Sequence, residues 1–294
     1  RFRTGLSVSM FAVVVFSVVV LLVIVEGFNV LLRDQERLAG GYDVVAFSQS
    51  PLNPLDGLNQ KVLENRELDF VERVNGNPSI GTLRTRYRAQ GALAGNQDFR
   101  STNVTGADDD FLLSNEFSIE LATKDYLTDT GFDSRNVWMA LKDKPGLAIV
   151  DSDMLSTRNG FGGFDVESDS FKLTGVEGLV LENETMEQVE ISIKDIESGV
   201  IFDLTVIGVL DGFADSGPIP SGIFTSSKVF ERHLVDKVNA TQFYFNVEPS
   251  TEDPAQKIEA AFFQNAVETL DIGKYIDDVQ STNRGFNNLL VGFM

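Results

Sequence analysis

The feature that most constrains this chain is an uninterrupted apolar run near its N-terminus, Gly5–Val25. The run carries no charge, and its only polar side chains are Ser7, Ser9 and Ser17. A helix rises about 1.5 Å per residue, so about 20 residues cover the roughly 30 Å hydrocarbon core of a bilayer. In lipid the backbone must satisfy its own hydrogen bonds, which favours a helix despite the many valines. The run predicts a transmembrane helix over Leu6–Val25; the alternative is a buried core helix of a soluble protein.

The flanks of this run predict its orientation. Arg1 and Arg3 precede it, and an excess of Lys and Arg marks the cytoplasmic side of a membrane helix. We therefore expect everything after about Val30 to be extracytoplasmic, with the protein located in the cell membrane. A secretory signal is disfavoured, because its apolar region usually spans about 7–15 residues and ends in a small-residue cleavage site. Here Glu26 follows the run directly.

The C-terminal stretch, Gly285–Met294, is again mostly apolar. It has two interpretations: a short amphipathic C-terminus, or the first turns of a second membrane helix that the fragment cuts short. We favour the second. Because the sequence also begins without Met, we expect further sequence upstream. The full-length protein is then predicted to be a multi-pass membrane protein.

Composition excludes several classes of function. The chain has 24 Lys and Arg against 44 Asp and Glu, a formal net charge of −20. Such a domain is repelled by nucleic acid and by anionic headgroups, and it suits high-salt surroundings or a cationic partner. The sequence has no cysteine. Disulfides, thiolate catalysis, cysteine-ligated zinc and a lipidated cysteine anchor are therefore all excluded for this chain.

Short apolar runs and turn residues predict a mixture of strands and helices. The predicted strands are Tyr42–Phe47, Phe70–Val74, Leu83–Arg88, Ala148–Val150, Ser170–Leu173, Gln188–Ile193, Ile201–Leu210 and Gln242–Val247. The predicted helices are Val30–Leu38, Pro54–Asn65, one that starts at Asp108, Asn136–Leu141, Ser226–Val235 and Asp253–Val267. In the last of these, Ile258, Phe262 and Ala266 share one face.

The order of these elements predicts an α+β fold rather than a doubly wound parallel sheet. We expect a transmembrane helix and stalk over residues 1–38, followed by a mixed α/β extracytoplasmic domain. Its first part covers residues 39–150 and its second part residues 213–284. A β-rich subdomain is inserted between them at residues 151–212, and residues 285–294 begin the second membrane helix.

The sequence offers few residues for catalysis. His233 is the only histidine, and its charged neighbours predict an exposed helix position. Without cysteine, a zinc site there would need carboxylates alone as co-ligands. The phosphate-binding pattern G-x-x-x-x-G-K-[ST] is missing, since Gly273-Lys274 is followed by Tyr275. ATP binding through a P-loop is therefore excluded for this chain.

Two further motifs have structural interpretations. Asp165, Glu167 and Asp169 resemble the start of a calcium loop, but Ser170 stands where an EF-hand requires glycine. We interpret these acids, like Asp108–Asp110, as solvated.

The serine of the motif Asp-Ser-Gly at residues 215–217 has no apparent base partner. The single tryptophan, at position 138, lies in an apolar helix and is predicted to pack inside. We expect no catalytic, cofactor-binding or metal-binding residue.

The entry to the apolar run, RTGLSVSMF at residues 3–11, resembles the helix that precedes the extracytoplasmic domain in FtsX-like permeases of ABC transporters. Further segments resemble the same family in the same order: GGYDVVAFS (40–48), GADDDFLL (106–113), VWMALKDKPGLAIVD (137–151), TVIGVL (205–210) and GFNNLLVGFM (285–294). The resemblance implies a MacB-like periplasmic core domain between the first two membrane helices.

The resemblance also implies a function. Permeases of this family dimerise and work with an ATP-binding subunit or domain, whose motion they pass to the outer domain for efflux, lipoprotein release or regulation of envelope enzymes. On this basis the chain is not itself an enzyme and needs no cofactor. Its expected partners are an ABC-type ATP-binding subunit, a second permease copy and membrane lipid, but not nucleic acid.

Two other functions remain open from the sequence. A single-pass sensor or receptor ectodomain would bind a small molecule or peptide, with a cytoplasmic signalling domain before Arg1 and no membrane helix after Met294. An anchored hydrolase is disfavoured, since no nucleophile with a base can be named.

Overall fold

The computed structural model describes residues 10–17, 19–20, 23, 40–48, 68–75, 79–90, 100–129, 131–154, 173, 185–195, 198–211, 222–234, 242–278 and 281. The chain divides into a larger unit, Glu36–Asp271, and a smaller one composed of Arg1–Gln35 and Ile272–Met294. In the smaller unit, residues 10–17 and 272–278 are helical. Within the described ranges, no helix combines the length and apolarity needed to cross a bilayer. The predicted membrane helix extends over residues outside these ranges and stays a prediction.

The larger unit contains a small antiparallel sheet of four strands in the order β13-β1-β12-β2. Its strands are β1 (Val44–Ser48), β2 (Val71–Asn75), β12 (Gln242–Val247) and β13 (Val267–Asp271). One face packs against helix α4 (Pro254–Ala261) through Phe243 and Phe245 on the sheet and Ile258 on the helix. Tyr244 alternates with these phenylalanines, so it points to the opposite face. The sheet is therefore buried on both faces, which explains the run of apolar residues in β12.

The second sheet has seven strands in the order β5-β10-β8-β11-β4-β3-β9, and β9 also pairs with β10. Its strands are β3 (Ser79–Gln90), β4 (Arg100–Ala107), β5 (Ile119–Ala122), β8 (Leu147–Val150), β9 (Val189–Asp195), β10 (Ile201–Leu210) and β11 (Ile223–Ser226). The extra pairing closes six strands into a ring, with β5 as an extension along β10. Closure leaves those six strands no free edge, which protects them from pairing with other chains.

Helix α3 (Ser227–His233) follows β11 directly, and its buried Val229 and Phe230 belong to the core of the closed sheet. Its Phe230 lies against Gly106 of β4, where a side chain at position 106 would overlap the ring. The same ring is edge-on to Phe202 of β10, with centroids 6.1 Å apart. Because β4 and β10 lie on opposite sides of the ring of strands, α3 connects its two walls.

Two further helices, α1 (Asp109–Ser114) and α2 (Ser134–Asp143), begin where the sequence supplies N-caps. The Asp108 carboxylate accepts a hydrogen bond from the Phe111 amide at 2.8 Å. The Asp133 carboxylate accepts one from the Asn136 amide at 3.0 Å. Such caps satisfy amides that have no partner within the helix. A short hairpin of β6 (Leu127–Thr128) and β7 (Gly131–Phe132) precedes α2.

The α+β class is confirmed, and most predicted strands and helices in the described ranges are present. The helix predicted over Asp253–Val267 is wrong in its extent: it ends at Ala261, and Val267 begins β13. Ala266 has a left-handed backbone with φ of 49°, which a continuous helix cannot contain. The sequence does not predict strands β4, β5, β6, β7, β11 and β13. The predicted helices Val30–Leu38 and Pro54–Asn65 lie outside the described residues, as does the predicted strand Ser170–Leu173 except for Leu173.

The predicted domain boundaries stay predictions, since most of residues 151–212 lies outside the described ranges. The two described strands of that segment are β9 and β10. They pair with each other and also with β3, β8 and β5, which come from the first predicted part.

Candidate functional site: the junction between the two sheets

The chain enters and leaves the larger unit at one place. β1 is its first described strand and β13 its last, and the two are antiparallel neighbours with Val44 opposite Asp271. The start of β1 and the end of β13 therefore lie side by side at one end of the small sheet. Whatever precedes and follows the larger unit connects to it at adjacent points.

The residues that enter β1, Gly40–Asp43, form a turn that is fixed on two sides. The Gly40 carbonyl accepts a hydrogen bond from the Glu116 amide at 3.0 Å. The Gly41 carbonyl accepts one from the Asn246 side-chain amide at 2.8 Å. The Asp43 carboxylate accepts one from the Val247 amide at 2.9 Å. This entry turn thus connects the end of β12 to the loop that follows α1.

Gly40 of the entry turn is required by both conformation and space, and Gly41 is required by conformation. Gly40 and Gly41 have φ of +59° and +82°, a region that side chains disfavour. A Cβ on Gly40 would lie 2.5 Å from the Phe117 ring, and one on Gly41 would lie 2.5 Å from a Glu116 carboxylate oxygen. The turn is therefore packed closely against residues 116 and 117.

A continuous series of aromatic rings connects the small sheet to the closed sheet, and we call it the aromatic chain. It runs from Tyr244 of β12 to Phe111 of α1, then to Trp138 of α2 and Phe224 of β11. Successive centroid distances are 5.2, 5.9 and 5.8 Å. Tyr42 of the entry turn contacts its first two rings, at 4.9 Å from Tyr244 and 6.1 Å from Phe111. All five rings are buried, so they form a close-packed connection.

The polar atoms of these rings have partners. The Trp138 Nε1–H donates to the Phe117 carbonyl at 3.1 Å. The Tyr42 hydroxyl lies 2.8 Å from the Ser114 Oγ, which itself donates to the Asp110 carbonyl at 2.7 Å. Burial, and secondarily the Tyr42 phenol, raise the pKa of Tyr244 far above its usual range. Its phenol therefore stays protonated and donates to the Gln242 Oε1 at 3.4 Å.

The junction consists of packed aromatic rings and hydrogen-bonded turn residues. Among the described residues, no group of three or more His, Cys, Asp or Glu side chains could hold a metal ion. The aromatic chain and the entry turn instead make a packed connection between the place where the chain enters and the strands of the closed sheet.

The residues singled out from the sequence lie in separate places. His233 is exposed, as predicted, and its ring stacks on Phe202 at 5.2 Å. Trp138 is buried, as predicted. The acids at 165, 167 and 169 and the Asp-Ser-Gly motif at 215–217 lie outside the described residues. The expectation that the chain has no catalytic, cofactor or metal residue stays a prediction.

Sequence reasoning missed the entry turn as a site. Its signal was present: a Gly-Gly pair followed by Tyr42 and Asp43 directly before a strand. Two glycines at such a position indicate positive φ angles or a close approach. Its partners are Glu116, Phe117 and Asn246, which are too distant along the chain for any local pattern to reveal.

The Tyr42–Ser114 hydrogen bond should be measurable by a double-mutant cycle. We expect Tyr42→Phe and Ser114→Ala each to lower the free energy of unfolding by about 1 kcal/mol, because each removes the hydrogen bond between the two hydroxyls. The double variant should cost less than the sum of the two, as for residues in contact. Urea titration followed by circular dichroism measures these values.

Tyr126→Phe is the matched control, since Tyr126 lies in the turn at residues 124–126 and is not one of the rings of the aromatic chain. We expect it to change stability by less than about 0.5 kcal/mol. Strict additivity of the Tyr42 and Ser114 substitutions would show that the two hydroxyls do not interact.

Comparison with known proteins gives little likeness in sequence. No protein-family profile matches the chain, and no curated protein matches it. The structure is similar to the crystal structure of the periplasmic region of MacB from Actinobacillus actinomycetemcomitans, with a TM-score of 0.41 and 7% sequence identity. The alignment covers 85% of this chain and 97% of that chain.

Proposed function

We propose that this chain is the extracytoplasmic part of an ABC transporter permease subunit, which passes the state of a partner ATPase to the outside of the membrane. The observation that carries the proposal is the pairing of β1 with β13. Because Val44 lies opposite Asp271, the larger unit is joined to the rest of the chain at two adjacent points. A domain inserted between two neighbouring membrane helices needs this arrangement.

The entry turn and the aromatic chain supply a route for such a signal. A displacement of the segment before Gly40 acts on the turn, whose carbonyls are held by Glu116 and Asn246. From there it reaches α1 through Tyr42 and the closed sheet through Trp138. A close-packed series of rings passes on displacement because it has no voids to absorb it.

The described part of the N-terminal run supports a place in lipid. Val13, Val14, Val15 and Phe16 are consecutive in a helix, yet each is between 42% and 69% exposed. Successive helix positions are about 100° apart, so these side chains cover all sides of the helix. The Ser17 hydroxyl donates to the Val13 carbonyl at 2.9 Å, which satisfies its O–H without water. Apolar surface on every side suits surrounding lipid better than a single protein partner.

A single-pass sensor ectodomain is the competing function. It needs only one connection to the membrane, and its other end can lie anywhere on the domain. The adjacency of Val44 and Asp271 therefore favours the permease. The acidic charge of the chain, −20 overall, keeps the outer domain away from anionic headgroups in either case.

The proposal can be tested on the full-length protein with Ile201→Cys, any cysteines outside this stretch having been replaced. Ile201 is 53% exposed on β10, and the chain itself has no cysteine. We expect a membrane-impermeant maleimide to label this position in intact cells. We also expect the protein, extracted in mild detergent, to co-purify with an ABC-type ATP-binding subunit.

Val14→Cys is the matched control: it is exposed in the isolated chain but should resist the same reagent when lipid surrounds it. Three results would overturn the proposal. They are labelling of Ile201→Cys only after lysis, a complex without an ATP-binding subunit, and a full-length reading frame with no membrane helix after Met294.

A further inference from the structure

The outer face of α4 and the turn after it departs from local rules in three ways. Phe263 is 80% exposed, the most exposed large apolar side chain among the described residues. Glu259 lies in the last turn of α4, where the helix dipole disfavours a carboxylate. Ala266 holds a left-handed backbone with φ of 49°, although it is not glycine. Several exceptions to local sequence–structure rules within one short segment are typical of functional surfaces.

These residues share one surface, which we call the α4 stripe: Gln256, Glu259, Ala260 and Phe263. Each of them lies three or four positions from two of the others, a spacing that places residues on one side of a helix, and all four are exposed. The opposite side, with Ala255, Ile258 and Phe262, is buried against the small sheet.

The geometry holds Phe263 outward. The Ala266 amide donates to the Phe263 carbonyl at 3.2 Å, which closes the turn at residues 263–265. The left-handed Ala266 then reverses the chain into β13, so the helix cannot continue and bury the ring. A large aromatic side chain kept in solvent by a strained backbone needs an explanation beyond stability.

The charge around the stripe is acidic. Glu259 is exposed, and its carboxylate lies 3.2 Å from the Thr269 hydroxyl, which donates to the Ala255 carbonyl at 2.9 Å. Glu248 and Glu252 precede the helix and are exposed. The one cation of α4, Lys257, does not offset them on this face, because its Nζ lies over the Phe70 ring, 5.3 Å from the centroid.

We propose that the α4 stripe docks a protein segment that carries Lys or Arg beside an apolar side chain. A guanidinium or ammonium group over the face of Phe263 would gain a cation–π contact, and Glu259 would pair with its charge. This inference does not depend on the chain being a permease.

Two other occupants fit less well. A second copy of the chain, docked through the same surface, would place Glu259 and its neighbours against their own copies, which is repulsive. An anionic lipid surface is repelled by the acids of the stripe and by the net charge of −20.

The test uses the full-length protein in nanodiscs of zwitterionic lipid. The probe is a fluorescein-labelled dodecapeptide of alternating arginine and serine with one central tryptophan, and binding is followed by anisotropy. We expect Phe263→Ser and Glu259→Lys each to weaken binding about tenfold, which corresponds to about 1.4 kcal/mol. A matched peptide with glutamate in place of arginine should not bind.

Ile201→Ser is the control variant, since Ile201 is an exposed apolar residue of the larger unit that lies on a different element, β10. It should bind the probe as the parent does, and circular dichroism should show all three variants folded. Equal weakening by Ile201→Ser, or none by Phe263→Ser, would overturn the proposal. So would binding to anionic vesicles, or self-association in sedimentation, that depends on Phe263.

Discussion

Replacing Trp138 with alanine is expected to lower the free energy of unfolding by about 3–5 kcal/mol. Trp138 is 1% exposed and lies at the centre of the aromatic chain. Its ring is edge-on to Phe111 at 5.9 Å and to Phe224 at 5.8 Å. Its loss leaves a cavity between α1 and β11 and removes the donor to the Phe117 carbonyl. The two sheets would then lose part of the packing that connects them.

Trp138→Phe is the matched comparison for this substitution. It keeps an aromatic ring but removes the indole N–H, so we expect a smaller cost, about 1–2 kcal/mol. Both values come from urea titration followed by far-UV circular dichroism, because the substitution removes the only tryptophan and with it the intrinsic fluorescence signal. A cost below about 1 kcal/mol for Trp138→Ala would mean that neighbouring rings close the cavity, and that the aromatic chain is not a fixed connection.

The elements that sequence predicted well are those whose signals are local. The strand Ile201–Leu210 was predicted at its observed bounds, and so was Gln242–Val247, because both are apolar and β-branched or aromatic with turn residues at their ends. The helix at Asp108 was predicted from its acids, and the structure shows why, since this carboxylate caps the first turn. Local patterns suffice where the side chains that define an element are neighbours in sequence.

Other strands depend on partners that no local pattern reveals. β11 covers only Ile223–Ser226, and Thr225 and Ser226 are polar although they are buried. The sequence therefore lacks the apolar pattern of a buried strand there. Thr225 is satisfied by donating to the Leu147 carbonyl at 2.8 Å, in the neighbouring strand β8. The sequence of β13 does not indicate a strand, because two of its five residues are acidic. It becomes a strand through its pairing with β1, which is more than 200 residues away in sequence.

The candidate site depends even more on distant contacts. Tyr42 could be predicted as a buried strand residue, but its position between Phe111 and Tyr244 could not. The closure of the larger sheet follows from one additional pairing, β9 with β10, while β3 joins β9 from the other side. A hairpin is predictable from sequence, whereas ring closure is decided by twist and length over all six strands.

Gly222 lies at the point where strands β4, β8 and β11 meet. Gly222 precedes β11, which pairs in parallel with β4 and antiparallel with β8. Its amide donates to the Asp151 carboxylate, and its carbonyl accepts from the Asp151 amide at 3.1 Å. Its φ is +137°, which only glycine adopts readily. A Cβ there would overlap the backbone carbonyl of Asn103 in β4.

Gly222→Ala is therefore expected to lower the free energy of unfolding by about 3 kcal/mol or more, since a strained φ and a backbone overlap add together. The matched control is Gly199→Ala, in the turn between β9 and β10. Gly199 also has a positive φ, +72°, but a Cβ there would meet nothing within 4 Å. It should cost only about 1 kcal/mol, the price of the left-handed conformation alone. Urea titrations of both variants separate the cost of the positive φ from the cost of the overlap with β4. Equal unfolding midpoints would show that β4 moves away from the added Cβ at no cost. A lower midpoint for Gly222→Ala would show that the closed sheet is rigid at this contact.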